Sequence, residues 1–127
     1  MTQLSNPFST GGGGTFFELD VQASFLVLLL TRGSAPCLPP QPVWKVKLQN
    51  KYLEFETDDI AVLTGDEDRP KLLGQIKHTV EVTQTNKTFG EVIAAAWKDF
   101  NNPKVFRKGK DALALITGPL IQRGTGE

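Results

Sequence analysis

The chain has one cysteine, one histidine and no net charge, and each shortage removes a class of function. Cys37 has no second cysteine with which to form an internal disulfide. With His78 it gives too few ligands for the tetrahedral set of a structural zinc site. A reducing, cytoplasmic setting is the expectation. Fourteen basic residues against fourteen acidic ones leave no global positive field, so any nucleic-acid binding has to rest on local patches. Long apolar runs are also lacking. The longest, Val21–Leu30, is interrupted by Gln22 and Ser24 and falls short of the roughly 20 residues of a membrane span. Glu18 and Asp20 precede it, where a signal peptide would carry Lys or Arg. No membrane partner is expected.

What is present describes one domain. A chain of 127 residues with 39% hydrophobic and 22% charged content is large enough for a genuine core. Residues 1–14 end in Gly11–Gly14 and read as a flexible lead-in. No Gly-Lys-Ser/Thr follows, so this is not a phosphate loop. Residues 15–120 form the domain, and residues 121–127 a polar tail or a linker to a C-terminal part. Thr15 is the expected N-cap of a first helix, with Glu18 completing a capping box. The helix should run from Phe16 to about Thr31. It is apolar most of the way round, which predicts burial against a sheet. Arg32-Gly33 closes it, and the proline-rich Ser34–Pro42 is an extended loop.

Val43–Leu48 alternates apolar residues with Lys45 and Lys47, a strand with one wet face. Tyr52–Leu63 and Leu72–Val82 are β-prone and are joined by the turn Thr64–Pro70, which contains Gly, Asp and Pro. Thr88 and Glu91 form a second capping box. Val92, Ala95, Ala96 and Phe100 give its helix an apolar face, and Asn101-Asn102-Pro103 stops it. After the basic Val105–Lys110 segment, Asp111–Gly118 reads as a strand buried on both faces. The order helix, three strands, helix, strand implies an α/β (α+β) domain with a mixed central sheet flanked by helices.

The two central strands carry charge where a buried strand should be apolar. Alternation puts Asp59, Ala61 and Leu63 on one side of the first strand, and Gln75 and Lys77 on one side of the second. If register joins those sides, a carboxylate, an amide oxygen and an ammonium converge. Carboxylate, amide and backbone oxygens are hard ligands suited to Mg²⁺, which retains waters and also binds substrate phosphate. An ammonium beside them can orient a water or stabilise negative charge developing on a phosphodiester. A second acid, Glu18 or Asp58, would strengthen metal binding.

Asp59-Ile60-Ala61-Val62, a turn, and Gln75-Ile76-Lys77 resemble the PD-(D/E)XK, or restriction-endonuclease-like, nuclease superfamily. The order of elements over roughly Thr15–Gly118 resembles its core. Gln75 stands where the namesake carries Asp or Glu, as in a known branch of the superfamily. Asp58 stands in place of its Pro. The glycine-rich start, Phe17-Glu18, Gln22 and Gln75-Ile76-Lys77-His78 look most like the double-stranded-DNA nuclease effectors at the N-termini of bacterial anti-phage ATPases. The resemblance implies a metal-dependent DNA endonuclease using Mg²⁺, or Mn²⁺ in its place. Asp59 would be a metal ligand and Gln75 a second-strand site residue and ligand, with the Ile76 backbone as a further donor. Lys77 would be the catalytic lysine and Glu18 the acid from the first helix. Asp58 competes with Asp59 for the ligand role, and Asp59 is preferred because it shares the parity of Ala61 and Leu63. Implied partners are double-stranded DNA and further copies, assembled through a C-terminal ATPase or sensor region outside this chain.

Plainer roles stand beside these. Glu18 fits the capping box, Gln22 and His78 suit structural positions, and Lys77 could run its stem along a strand edge. Arg107, Lys108 and Lys110 form either a solvated loop or a phosphate-contacting patch. Two other functions compete with the nuclease. One is a catalytically inactive nucleic-acid-binding or oligomerisation module of the same fold, and the other is a small α/β interaction domain.

Overall fold

The computed structural model describes residues 13–48, 56–57, 59–65 and 69–120. In chain order the elements are α1 (Gly13–Thr31), β1 (Val43–Leu48), β2 (Ile60–Thr64), β3 (Lys71–Lys77), α2 (Lys87–Phe100) and β4 (Ala112–Thr117). The strands form one sheet in the order β1-β2-β3-β4. Strands β1, β2 and β3 are antiparallel neighbours, whereas the α2 crossover brings β4 in parallel to β3. This is an α+β domain with a mixed sheet, as the order of elements predicts. Asp58, the expected segment Tyr52–Phe55 and the tail from residue 121 lie outside the described residues.

Strand alternation divides the core into two layers. Ile60, Val62, Leu72 and Ile76 face α1, against Phe17, Val21, Phe25, Leu28 and Leu29. Ala61 and Leu73 face the other way, against Val105 and Phe106, with Phe100 and Leu113 beside them. Gly74 is required on the α1 side. A Cβ there would lie 2.7 Å from Ile60 Cγ2 and 3.2 Å from Ile116 Cδ1.

Several local expectations are corrected. Helix α1 begins at Gly13, so Thr15 lies inside the first turn and does not cap it. Unpaired N–H groups in a first turn tolerate glycine there. The Glu18 Oε1 accepts a bond from Gln22 Nε2 at 3.3 Å, one turn further along the helix. The sheet covers only one side of α1, so Phe16, Leu19, Val27 and Leu30 remain exposed although burial was expected. Helix α2 is capped by Asn86, whose Oδ1 accepts the Phe89 N–H at 2.8 Å. Thr88 and Glu91 therefore sit within the helix.

Strand β3 ends at Lys77 and does not continue through Thr79–Val82. Its parallel neighbour stops at Thr117, and the ladder closes with Gly118 N–H donating to His78 O at 3.1 Å. Beyond that point none of the described strands lies alongside. Strand β4 is half-buried along its whole length rather than buried on both faces. Among the described residues it is an edge strand, with a neighbour on one side only.

Candidate active site

The β2–β3 register pairs Ile60 with Gly74 and Ala61 with Leu73. Extending it by one residue sets Asp59 opposite Gln75, and alternation places both on the α2 side with Lys77. Asp59 itself lies in the bend before β2. Its Oδ2 accepts the Ile76 N–H at 2.7 Å. In an antiparallel ladder, alternate residues turn their N–H groups to the same neighbour. The carboxylate thus takes the place of the next backbone acceptor where β2 leaves the sheet. Asp59 thus meets the Gln75-Ile76-Lys77 segment at its main chain, where its bond has a structural task.

Gln75 and Lys77 are half-buried. Among the described residues neither side chain has a hydrogen-bond or ion-pair partner. Gln75 lines a cavity of about 150 Å³ between the sheet and α2, together with Thr57, Val92, Ile93, Ala96, Leu113, Ala114 and Leu115. Among the described residues the buried Thr57 hydroxyl on its wall has no hydrogen-bond partner.

The approach to Asp59 is held from α2. Asp99 is fully buried; its Oδ1 accepts Glu56 N–H at 2.8 Å and its Oδ2 accepts Thr57 N–H at 2.6 Å. A carboxylate paid for by two backbone donors fixes a segment that would otherwise be irregular. The sequence reading missed this residue. The available signal was a carboxylate on the apolar stripe of α2, seven residues after Val92.

Other candidates lie further off. The Phe17 and His78 rings are 5.3 Å apart, which sets the N-terminal part of α1 near the Lys77 end of β3. Helix α1 nevertheless packs on the opposite face from Gln75, so Glu18 shares an end of the sheet with the site but not a face. The basic group lies at the other end. The segment 107–110 leads into β4 at Ala112, which pairs with Leu72, whereas Thr117 pairs with Lys77. At about 3.3 Å per strand residue, this separates it from Lys77 by most of the length of β3. Arg107 is turned inward. Its Nη2 donates to Asp111 Oδ1 at 3.2 Å and to Arg69 O at 2.8 Å. Lys108 and Lys110 are exposed, and Lys108 Nζ lies 4.6 Å from the Phe100 ring centroid. Lys45 pairs with Leu63 and Lys47 with Ala61, so these two lysines share the face of Asp59, Gln75 and Lys77.

Among the described residues no three His, Cys, Asp or Glu side chains form a group that could hold a metal ion. The donors near Ile76 are all oxygens: the Asp59 carboxylate, the Gln75 amide and main-chain carbonyls. Such a set fits Mg²⁺ completed by water and substrate phosphate, not a cage built wholly of protein ligands. Among the described residues no helix is long and apolar enough to cross a membrane. Comparison with protein-family models, curated proteins and solved structures found no match.

Proposed function

We propose that this domain is a metal-dependent DNA endonuclease acting on double-stranded DNA. The observation carrying the reading is the 2.7 Å bond from Ile76 N–H to Asp59 Oδ2. It brings the carboxylate to the main chain between Gln75 and Lys77. The restriction-endonuclease-like resemblance of the Asp59 and Gln75-Ile76-Lys77 segments supports the same reading, as does the α+β order of elements. Mg²⁺ or Mn²⁺, held by Asp59, Gln75 and a main-chain carbonyl at Ile76, would polarise the scissile phosphate and lower the pKa of a bound water.

The chain's own groups have separable tasks. Asp59, fixed by Ile76 N–H and by the Asp99 clamp on residues 56–57, holds its carboxylate in one orientation. The Lys77 ammonium orients the attacking water and offsets charge developing on the phosphoryl oxygens. Lys45 and Lys47 neutralise backbone phosphates of a duplex laid across the same face. Membership of an anti-phage effector that assembles through a C-terminal ATPase or sensor region belongs to the same proposal, with Glu18 as an acid reaching the site around the end of the sheet.

A specific observation favours a second reading. The Asp59–Ile76 bond is also what a strand-end cap would make, and it suits a catalytically inactive nucleic-acid-binding or oligomerisation module. Plasmid cleavage at high protein concentration, with Mg²⁺ or Mn²⁺ and with EDTA, separates the two. Metal-dependent nicking or linearisation that disappears in a folded Lys77→Ala variant supports the nuclease. DNA binding with no cleavage and no Mn²⁺ binding supports the inactive module.

A further inference from the structure

The two edges of the sheet are built differently. Strand β1 carries Lys45 and Lys47 and a break in register between Val43 and Lys45, devices that discourage a further strand from adding. Strand β4 reads Ala112-Leu113-Ala114-Leu115-Ile116-Thr117, with no charge and no proline, and its register against β3 runs unbroken. Among the described residues no strand pairs with its outer edge.

Beside this edge lies an apolar cavity of about 350 Å³ lined by Ile93, Ala96, Trp97, Phe100 and Leu113. Gly90, Ile93, Ala94 and Trp97 form an exposed, uncharged stripe along α2, in which Trp97 is 66% exposed and Ile93 51%. The residues of edge, cavity and stripe carry no formal charge themselves, and Lys108, 4.6 Å from the Phe100 ring centroid, lies at the margin.

We infer that β4 is the interface with a second copy of this chain, the two β4 strands pairing antiparallel about a two-fold axis. Such pairing supplies partners for the outer main-chain groups of both strands and extends the sheet across the dimer. Charge favours this occupant. A β4–β4 pair sets no like charges opposite each other, whereas a β1–β1 pair would oppose lysines. Each copy offers an exposed indole at Trp97 and the apolar hollow that it helps to line, so one patch can supply both halves of an isologous contact.

The test is sedimentation velocity of the full chain over a wide concentration range, with amide exchange read residue by residue. A reversible dimer is expected, in which alternate β4 amides become more protected as concentration rises. Trp97→Lys and Ile93→Lys change exposed positions. Each is expected to weaken the dimer at least about tenfold while leaving the circular dichroism unchanged. A chain that stays monomeric at all concentrations would overturn the inference. So would a dimer insensitive to both substitutions whose β4 exchange does not follow concentration, which would point to the exposed face of α1. Protection of the β4 edge in the monomer would also overturn it, by showing that another part of the same chain covers the strand. None of these outcomes depends on DNA cleavage.

Discussion

The two ends of β3 use charge in opposite ways. At its start, Lys71 Nζ meets Asp111 Oδ2 at 2.7 Å, and Arg107 Nη2 lies 3.2 Å from Oδ1 of the same carboxylate. The main-chain N–H groups of Lys71 and Arg107 also donate to Asp111. The carboxylate is completely enclosed, and every charge in the cluster serves the fold. At the other end, six residues along, Lys77 has no such partner among the described residues. Asp59 spends one oxygen on a backbone N–H there. The lysine at the start of β3 is consumed by the fold, whereas none of the described side chains holds the lysine at its end. Charge in a strand is therefore not by itself a sign of function; the partner set decides.

The sharpest way to break the comparison is at Asp111. Asp111→Ala strands two cations and two main-chain donors and should cost about 3–5 kcal/mol of stability, read as a large drop in the denaturation midpoint. Burial alone would raise the Asp111 pKa, but the bonds from Arg107 and Lys71, by side chain and backbone, outweigh it and hold it below the ordinary carboxylate value. A depressed folded value means that the stabilisation is fully present above about pH 4, the unfolded carboxylate value, and is lost as pH falls through the folded value. Acid titration of stability should therefore flatten in Asp111→Asn relative to the parent over that window.

Lys77→Ala probes the other end with the opposite signature. If the proposed nuclease reading holds, cleavage should fall about 10²–10³-fold, while stability stays within about 0.5 kcal/mol. A loss of several kcal/mol in the melting experiment would instead make Lys77 a structural residue like Lys71.

Asp99→Asn lies between these extremes. Exchanging one acceptor oxygen for an amide leaves Glu56 or Thr57 N–H without its partner and should destabilise by about 1–3 kcal/mol. The Ile76 amide should exchange faster than its neighbours, because Asp59 is no longer held. Unchanged Ile76 exchange would show that Asp59 needs no clamp.

The smallest effects are expected at the lysines of β1. If a duplex lies on this face as proposed, Lys45→Ala and Lys47→Ala should each reduce the slope of log affinity against log salt by about one unit, with little effect on folding. Larger effects from Lys108→Ala or Lys110→Ala would move the DNA to the opposite end of the sheet.

Much of the fold was legible because local rules and tertiary packing agree. Alternation in Val43–Leu48 matches β1 to the residue, and Asn101-Asn102-Pro103 ends α2 as its chemistry requires. Local signals competed at the helix starts. Thr15 and Thr88 both fit capping boxes, yet Gly13 and Asn86 begin the helical turns because a cap can shift by two residues at little cost. The grouping of Asp59 with Gln75 and Lys77 followed from parity, since a period of two leaves only the register to be fixed.

The sequence by itself determined the order of elements and which strand residues share a face, because both depend on near-neighbour periodicity. Only the tertiary structure decided which charges are spent. Asp99 reaches back 42 residues to Thr57, and Lys71 reaches forward 40 to Asp111. A local pattern can mark such a carboxylate, as at Asp99 on the apolar stripe of α2, but it does not name a partner at that separation. Such contacts depend on how the α2 crossover lays β4 against β3, and that placement separates the Arg107 end of the sheet from the Lys77 end.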